Sequence, residues 1–276
     1  MQNRIPRALH TIYEYVAMYF GLVVLGGFCL AWAPIAIALR LLLPKPRGRV
    51  VGRLAITLGF RVYVGTLALI RAYRFDLTAL DALRGEPAMI LAPNHPSLID
   101  AVLVISRLPA TCIMKGQLAR NLFLSAGARL AGYIRHDSLR GMINRSVAAL
   151  RDGSHLLVFP EGTRTLRSPV NTFIGSIGII ARIANVPVQA IFIDTDSPYL
   201  SKGWPLFRKP ALPITFRIRL GQRFDPPKTT REFVKELELY FAEELGHGSM
   251  MQAWLPAAAK PGGAPNSFAG VVYPDK

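Results

Sequence analysis

Apolar positions follow two different patterns along this 276-residue chain. From Tyr15 to Leu39 run twenty-five consecutive uncharged residues, mostly Val, Leu, Ile, Ala, Phe and Gly. About 20 such residues in a helix cross a ~30 Å hydrocarbon layer, so this run predicts a membrane helix. Tyr13, Tyr15 and Tyr19 at one end and Trp32 near the other suit the two interfaces, and Pro34 is a bend that lipid-embedded helices tolerate. A second apolar stretch, Leu54 to Ile70, is broken by Arg61 and followed by Arg71 and Arg74, the pattern of an interfacial helix. Both stretches dipping into one leaflet and returning is the alternative to a full span.

Beyond Arg74 short apolar runs alternate with helical periodicity. Strands are expected at Ala88–Ala92, Thr111–Met114, His155–Phe159, Val188–Ile193 and Ile214–Leu220. Helices are expected at Leu98–Arg107, Leu118–Leu130, Leu139–Arg151, Ile174–Asn185 and Thr230–Leu245. Such alternation, with mostly continuous apolar strands, predicts an α/β fold with a largely parallel central sheet flanked by helices. Ile214–Leu220 instead alternates Phe216, Ile218 and Leu220 with Arg217 and Arg219, which reads as an edge strand exposed on one face. In the last helix Phe233, Leu237, Tyr240 and Phe241 share one side, an amphipathic cover for the sheet. The tail from Pro256 is rich in Pro, Gly and Ala and is expected to be disordered. Three regions result: membrane-anchoring helices over 1–75, an α/β domain over 76–250 and a tail over 251–276.

Composition sharpens this division. Hydrophobic residues make up 51% and charged ones only 18%, against about 25% in ordinary soluble domains, which excludes a disordered chain. The net charge of +16 calls for an anionic partner. Ten basic residues and one acid, Glu14, fall in the first 75 positions, so the excess lies in the most apolar part. A nucleic-acid-binding protein needs its positive face in water, so an anionic phospholipid surface is the expected partner and nucleic acid is not. Arg40, Lys45, Arg47, Arg49 and Arg53 outnumber Arg4 and Arg7 across the apolar run, so the large C-terminal region is expected on the cytoplasmic side of the cell inner membrane. Ala31-Trp32-Ala33 imitates a signal-peptide cleavage site, but Pro34 follows directly and the run is too long, so the segment is read as retained. Cys29 and Cys112 lie far apart and form no metal-ligand or disulfide pattern.

Two loops carry the candidate chemistry. Ala88–Ala92 leads into Pro93-Asn94-His95-Pro96-Ser97-Leu98-Ile99-Asp100. Ligands of open α/β sheets bind at the carboxyl ends of strands. With His95 in the loop and Asp100 on the following helix, the carboxylate can fold back to Nδ1 and leave Nε2 as a general base. A loop histidine that merely lies near a helix-start carboxylate is the alternative. His155–Phe159 leads into Pro160-Glu161-Gly162-Thr163-Arg164, where Gly162 permits a positive φ and Arg164 can fork around a phosphate. Here the alternative is a structural Glu161–Arg164 pair. Lys115 ends the strand between these loops, and Arg135 follows Gly132-Tyr133-Ile134, so three cations are expected on one rim.

These residues resemble the glycerophospholipid acyltransferase family. Its Asn-His-x-Ser-x-x-Asp motif is met by Asn94, His95, Ser97 and Asp100, and its Phe-Pro-Glu-Gly-Thr-Arg motif by Phe159, Pro160, Glu161, Gly162, Thr163 and Arg164. The resemblance covers roughly residues 85–195. It implies that His95 and Asp100 are catalytic, taking a proton from an acceptor hydroxyl as that oxygen attacks a thioester carbonyl. It implies acyl-CoA or acyl-carrier protein as donor substrate and no cofactor. Glu161, Gly162, Thr163, Arg164, Arg135 and Lys115 would hold the acceptor, with Asn94, Ser97, Phe159 and Pro160 supporting the motifs. The acceptor implied first is 1-acylglycerol-3-phosphate, giving phosphatidic acid; glycerol-3-phosphate, an ornithine lipid, or a glycolipid or polyene-lipid hydroxyl are the alternatives.

The chain departs from the family on the acceptor side. The Asp-Arg dipeptide usual before the second motif's end is missing at Arg135, and Phe173 is followed by Ile174 where members often carry Lys. Val186-Pro187-Val188-Gln189-Ala190 lacks a second proline. No Gly-x-Ser-x-Gly elbow or metal-ligand spacing competes with the His-Asp pair. The segment Tyr199–Pro210 mixes aromatics and cations and reads as a bilayer contact, a wall of an acyl groove or a plain surface loop. His136, His155 and His247 have no partner pattern and are read as structural.

Overall fold

The computed structural model describes residues 7–115, 122–167 and 169–246. The expectations for the tail and for His247 lie outside them. Seven strands form one sheet: β1 (Tyr73–Asp76), β2 (Ile90–Pro93), β3 (Ala110–Lys115), β4 (Ile134–His136), β5 (His155–Leu157), β6 (Val188–Thr195) and β7 (Ile214–Phe224). Their order is β1-β7-β6-β2-β5-β3-β4. All neighbouring pairs are parallel except β6 with β7. The carboxyl ends of β2, β5, β3 and β4 therefore open on one edge.

Alternation along the strands feeds two cores. Leu91, Leu157, Ile191 and Ile193 face one side, and Ile90, Leu156, Ala190 and Phe192 face the other. Helices α5 (Leu139–Arg151), α6 (Ser176–Ala184) and α7 (Thr230–Gly246) cover the second face, with Phe233, Leu237 and Phe241 buried as the periodicity of the last helix requires. The first face is covered by α3 (Asp100–Arg107) and by the N-terminal helices α1 (Arg7–Leu42) and α2 (Lys45–Leu69). Ala17, Tyr63, Val64 and Leu67 thereby join the core of the sheet. Helix α4 (Leu122–Leu130) supports α1 and α2 from their other end, and the expected start of that helix at Leu118 lies outside the described residues. At Gly52 a Cβ would stand 2.6 Å from the Ala131 backbone nitrogen, so only glycine lets α2 approach there.

Two expectations are corrected. β7 is not an edge strand: β1 lies outside it, paired parallel over Ile214–Arg217. The alternation does separate two faces: Phe216 and Ile218 enter one core, while on the other side Arg217 is exposed and the Arg219 guanidinium stacks over Phe192, 4.0 Å from its ring centre, and pairs with Glu244 on α7. Nor does α3 begin near Leu98. It starts at Asp100, which puts that carboxylate at the helix N-terminus, where the backbone dipole favours negative charge.

Candidate active site

The two motif loops are tied together by bonds between distant residues. Pro93 ends β2, and Asn94 continues the sheet with its side chain: Nδ2 donates to the Ile193 carbonyl at 3.1 Å and Oδ1 accepts from the Ile193 N–H at 2.7 Å. A side-chain amide thus replaces one further rung of the β2–β6 ladder and fixes the start of the loop. Ser97 donates through Oγ to the Tyr199 carbonyl at 2.9 Å, anchoring its other end.

Between these anchors His95 Nδ1 lies 2.9 Å from Asp100 Oδ2. The same oxygen accepts the Ser97 N–H at 2.7 Å, so its role as acceptor assigns the proton of the imidazole to Nδ1 and leaves the Nε2 lone pair outward. Phe159 stacks on the ring with centroids 3.9 Å apart, which holds its plane. Asp100 is wholly buried, while the His95 side chain keeps 15% of its surface and is reachable. Burial pushes the Asp100 carboxyl up; the His95 hydrogen bond, the Ser97 N–H and the charge of Arg164 pull against it.

Glu161 is the clamp between the loops. Its Oε1 accepts from the His95 N–H at 3.0 Å and the Thr165 hydroxyl at 2.7 Å, and Oε2 accepts from the Asn171 N–H at 2.9 Å. The Thr165 N–H adds a bond to the His95 carbonyl at 2.8 Å. Burial raises the Glu161 pKa and the donors around it oppose the rise. Its carboxylate is thus held within the protein and positions the His95 backbone. No Glu161–Arg164 ion pair is found among the described residues. Gly162 turns the chain at φ +62°, and a Cβ there would lie 2.0 Å from the Ile174 side chain, which explains the glycine twice over. Pro160 is buried, its carbonyl accepting the Ile174 N–H at 2.8 Å, and Thr163 is half-buried.

Arg164 Nη1 donates to the carbonyls of Leu200 and Ser201 at 2.7 and 2.8 Å, joining this loop to the one after β6. Its guanidinium stays close enough to Asp100 for the two charges to interact. Lys115 ends β3 in register with His136; its side chain lies outside the described residues. Arg135 is on β4, three strands from β2 and so roughly 14 Å away by strand spacing. It is half exposed and meets Asp137 at 3.3 Å. The topology puts all these residues on one edge; of the two described cationic side chains, Arg164 approaches the His-Asp pair and Arg135 does not. Thr165, Asn171, Tyr199 and Ile193 escaped the sequence reading, because their roles arise from contacts across up to a hundred residues.

The segment after β6 packs on α1. Phe207 stacks on Tyr19 at 6.4 Å, Lys209 lies over Tyr15 and pairs with Glu14, and the Leu212 N–H donates to Glu14. No cluster able to hold a metal ion is present among the described residues.

Residues 74–194, which contain both loops, match the acyltransferase family. The lyso-ornithine lipid O-acyltransferase of Pseudomonas aeruginosa is 32% identical over 182 residues, covering 64% of this chain and 66% of that protein, just short of two thirds of its length. In fold, the crystal structure of the 1-acyl-sn-glycerophosphate acyltransferase from Thermotoga maritima superposes with a TM-score of 0.66 at 18% identity, over 86% of this chain and 96% of the other.

Proposed function

Because the chain belongs to the glycerophospholipid acyltransferase family, we propose that it moves a fatty acyl group from a thioester to the hydroxyl of a lysolipid. The observation that carries this is the outward Nε2 of His95, held by the bond from Nδ1 to a buried carboxylate. Nε2 takes the proton of the acceptor hydroxyl as its oxygen attacks the thioester carbonyl. The tetrahedral intermediate then collapses with cleavage of its C–S bond, and the departing thiolate takes that proton back from the His95 imidazolium to leave as the thiol. Asp100 stabilises the imidazolium that forms between these steps. Acyl-CoA or acyl-carrier protein is the donor, and no protein-bound acyl intermediate is required.

Within the lysolipid class we favour an ornithine-type acceptor over 1-acylglycerol-3-phosphate. Arg164 Nη1 is already engaged by two carbonyls, Arg135 stands apart, and Ile174 replaces the cation that family members often carry there. An acceptor without a phosphate monoester asks less of this rim, and the Pseudomonas relative is named for such a lipid.

The lipid itself would be reached through α1 and α2, both long and apolar enough to cross a membrane. The outward residues Val23, Leu30, Leu41, Leu54, Leu58 and Leu69 are all exposed. Yet α1 touches the domain at Tyr13 and Glu14 and again at Trp32 to Ala36, contacts ~30 Å apart at 1.5 Å per residue. A helix held along that length favours lying in one leaflet, one side on the protein and the other in lipid. We place this attachment on the cytoplasmic side of the inner membrane, where acyl thioesters are made.

Purified protein given acyl-CoA or acyl-carrier protein with lyso-ornithine lipid, lysophosphatidate and glycerol-3-phosphate in turn tests this reading. Thioester consumption should be fastest with lyso-ornithine lipid. Consumption with none of the lysolipids would refute acyl transfer, and preference for lysophosphatidate would refute the choice of acceptor.

A further inference from the structure

A second candidate site lies at the opposite edge of the sheet. Val50, Arg53, Leu54, Thr57, Leu58 and Arg61 recur at three- and four-residue steps and so share one face of α2. That face forms a wall of a cavity of about 650 Å³, whose far side comes from the segments entering β2, β3 and β5 and from Arg107 at the end of α3. His95 follows the other end of β2.

The lining combines cationic and apolar side chains. Arg53, Arg61, Arg84 and Arg107 all face the cavity. Asp81 pairs with Arg84 at 2.8 Å and Arg107 at 2.7 Å. Arg53 and Arg61 have no carboxylate partner among the described residues; Arg53 reaches the Thr111 hydroxyl and Arg61 the Ser106 carbonyl, which are neutral acceptors. Polar atoms in the wall are left without partners among the described residues: Thr57 Oγ1, on a residue only 5% exposed, Arg107 Nε and His155 Nδ1. A buried hydroxyl and a buried guanidinium N–H left unpaired cost free energy unless something fills the space. Val50, Leu54 and Leu58 run beside them along the helix side that we place in lipid, each about half exposed.

We propose that this cavity binds the phosphate of an anionic membrane glycerophospholipid, with its acyl chains lying along Val50, Leu54 and Leu58. Excess positive charge selects the phosphate. The continuous apolar strip selects a lipid over a soluble phosphate, which would leave that strip in water. Bound there, a lipid would set the tilt of α2 against the sheet. The site is separate from acyl transfer and needs only that α2 meets the bilayer.

Native mass spectrometry of the full-length protein in a non-ionic detergent tests it, with dioleoyl phosphatidylglycerol and dioleoyl phosphatidylcholine offered in equal amounts. Wild type should retain phosphatidylglycerol about tenfold more than phosphatidylcholine, and the Arg61→Gln/Arg84→Gln variant should lose most of that preference. Arg84→Gln alone, at a half-exposed position, should give an intermediate loss and serves if the double variant does not fold. Equal retention of the two lipids by wild type, or an unchanged preference in the variants, would overturn the proposal. Displacement of phosphatidylglycerol by inorganic phosphate or by free CoA at comparable concentration would overturn the choice of a lipid.

Discussion

His95 and Arg135 stand on the same edge of one sheet and differ in almost every physical respect. Around His95, Asp100 and Glu161 the polar groups are mostly buried and bonded among the loops that follow β2, β5 and β6, the start of α3 and Ile193 of β6. Arg135 lies half exposed at the sheet margin, paired with Asp137, which also takes a hydrogen bond from Arg145. One region is built so that a single proton sits on a single nitrogen. The other offers charge in water, where an ion pair contributes little. The comparison teaches that the His-Asp pair is fixed by a rigid network, whereas Arg135, which the sequence grouped with it, is scarcely constrained by the fold.

Substitutions that probe the support of His95, rather than His95 itself, should break this contrast most visibly. Asp100→Asn keeps the shape but lets an amide N–H face Nδ1, favouring the wrong tautomer; kcat for acyl transfer should fall about 10²- to 10³-fold with KM little changed. Glu161→Ala strands the N–H groups of His95 and Asn171 and the Thr165 hydroxyl, at about 1–3 kcal/mol for each buried donor left unpaired. Thermal unfolding should shift down by at least about 5 °C and kcat by about tenfold, a pairing that a pure acceptor ligand would not give. Arg135→Ala should raise the acceptor KM no more than about threefold and leave kcat alone; a larger rise would bring Arg135 into the site. Smallest of all is the effect at Asp137, whose carboxyl the Arg145 hydrogen bond holds down at about 2. Its folded value lies below its unfolded one, so its contribution is present above about pH 4 and fades as pH falls towards 2. Asp137→Asn should lower the unfolding midpoint slightly at neutral pH and leave it unchanged near pH 2, so the variant's midpoint varies less across that window.

The same contrast marks what could be read from the chain. Strands β2, β3, β5, β6 and β7 and helix α5 stand in continuous apolar runs or clear periodicity, and they fall within a few residues of expectation. Strands β1 and β4 are short and polar on one face, so neither left a pattern, and missing β1 made β7 look like an edge. The His-Asp pair was legible because its partners are five residues apart. The role of Glu161 was not: its position beside Arg164 suggested a local pair or an acceptor ligand, and its actual partners, His95 and Asn171, are brought in by the parallel crossovers. The arginines of α2 were legible as charge but not as the wall of a cavity, because Arg84 and Arg107 join them only through the sheet.

Everything rests on Nε2 of His95 as the base for the acceptor hydroxyl. The most direct test is acyl transfer from a thioester to lysolipid in vesicles by wild type and His95→Ala, with vesicle association and unfolding midpoint measured on the same samples. The variant should stay membrane-bound and folded while its turnover falls at least about 10³-fold. A folded, membrane-bound His95→Ala protein that retains turnover within about tenfold of wild type would contradict the account.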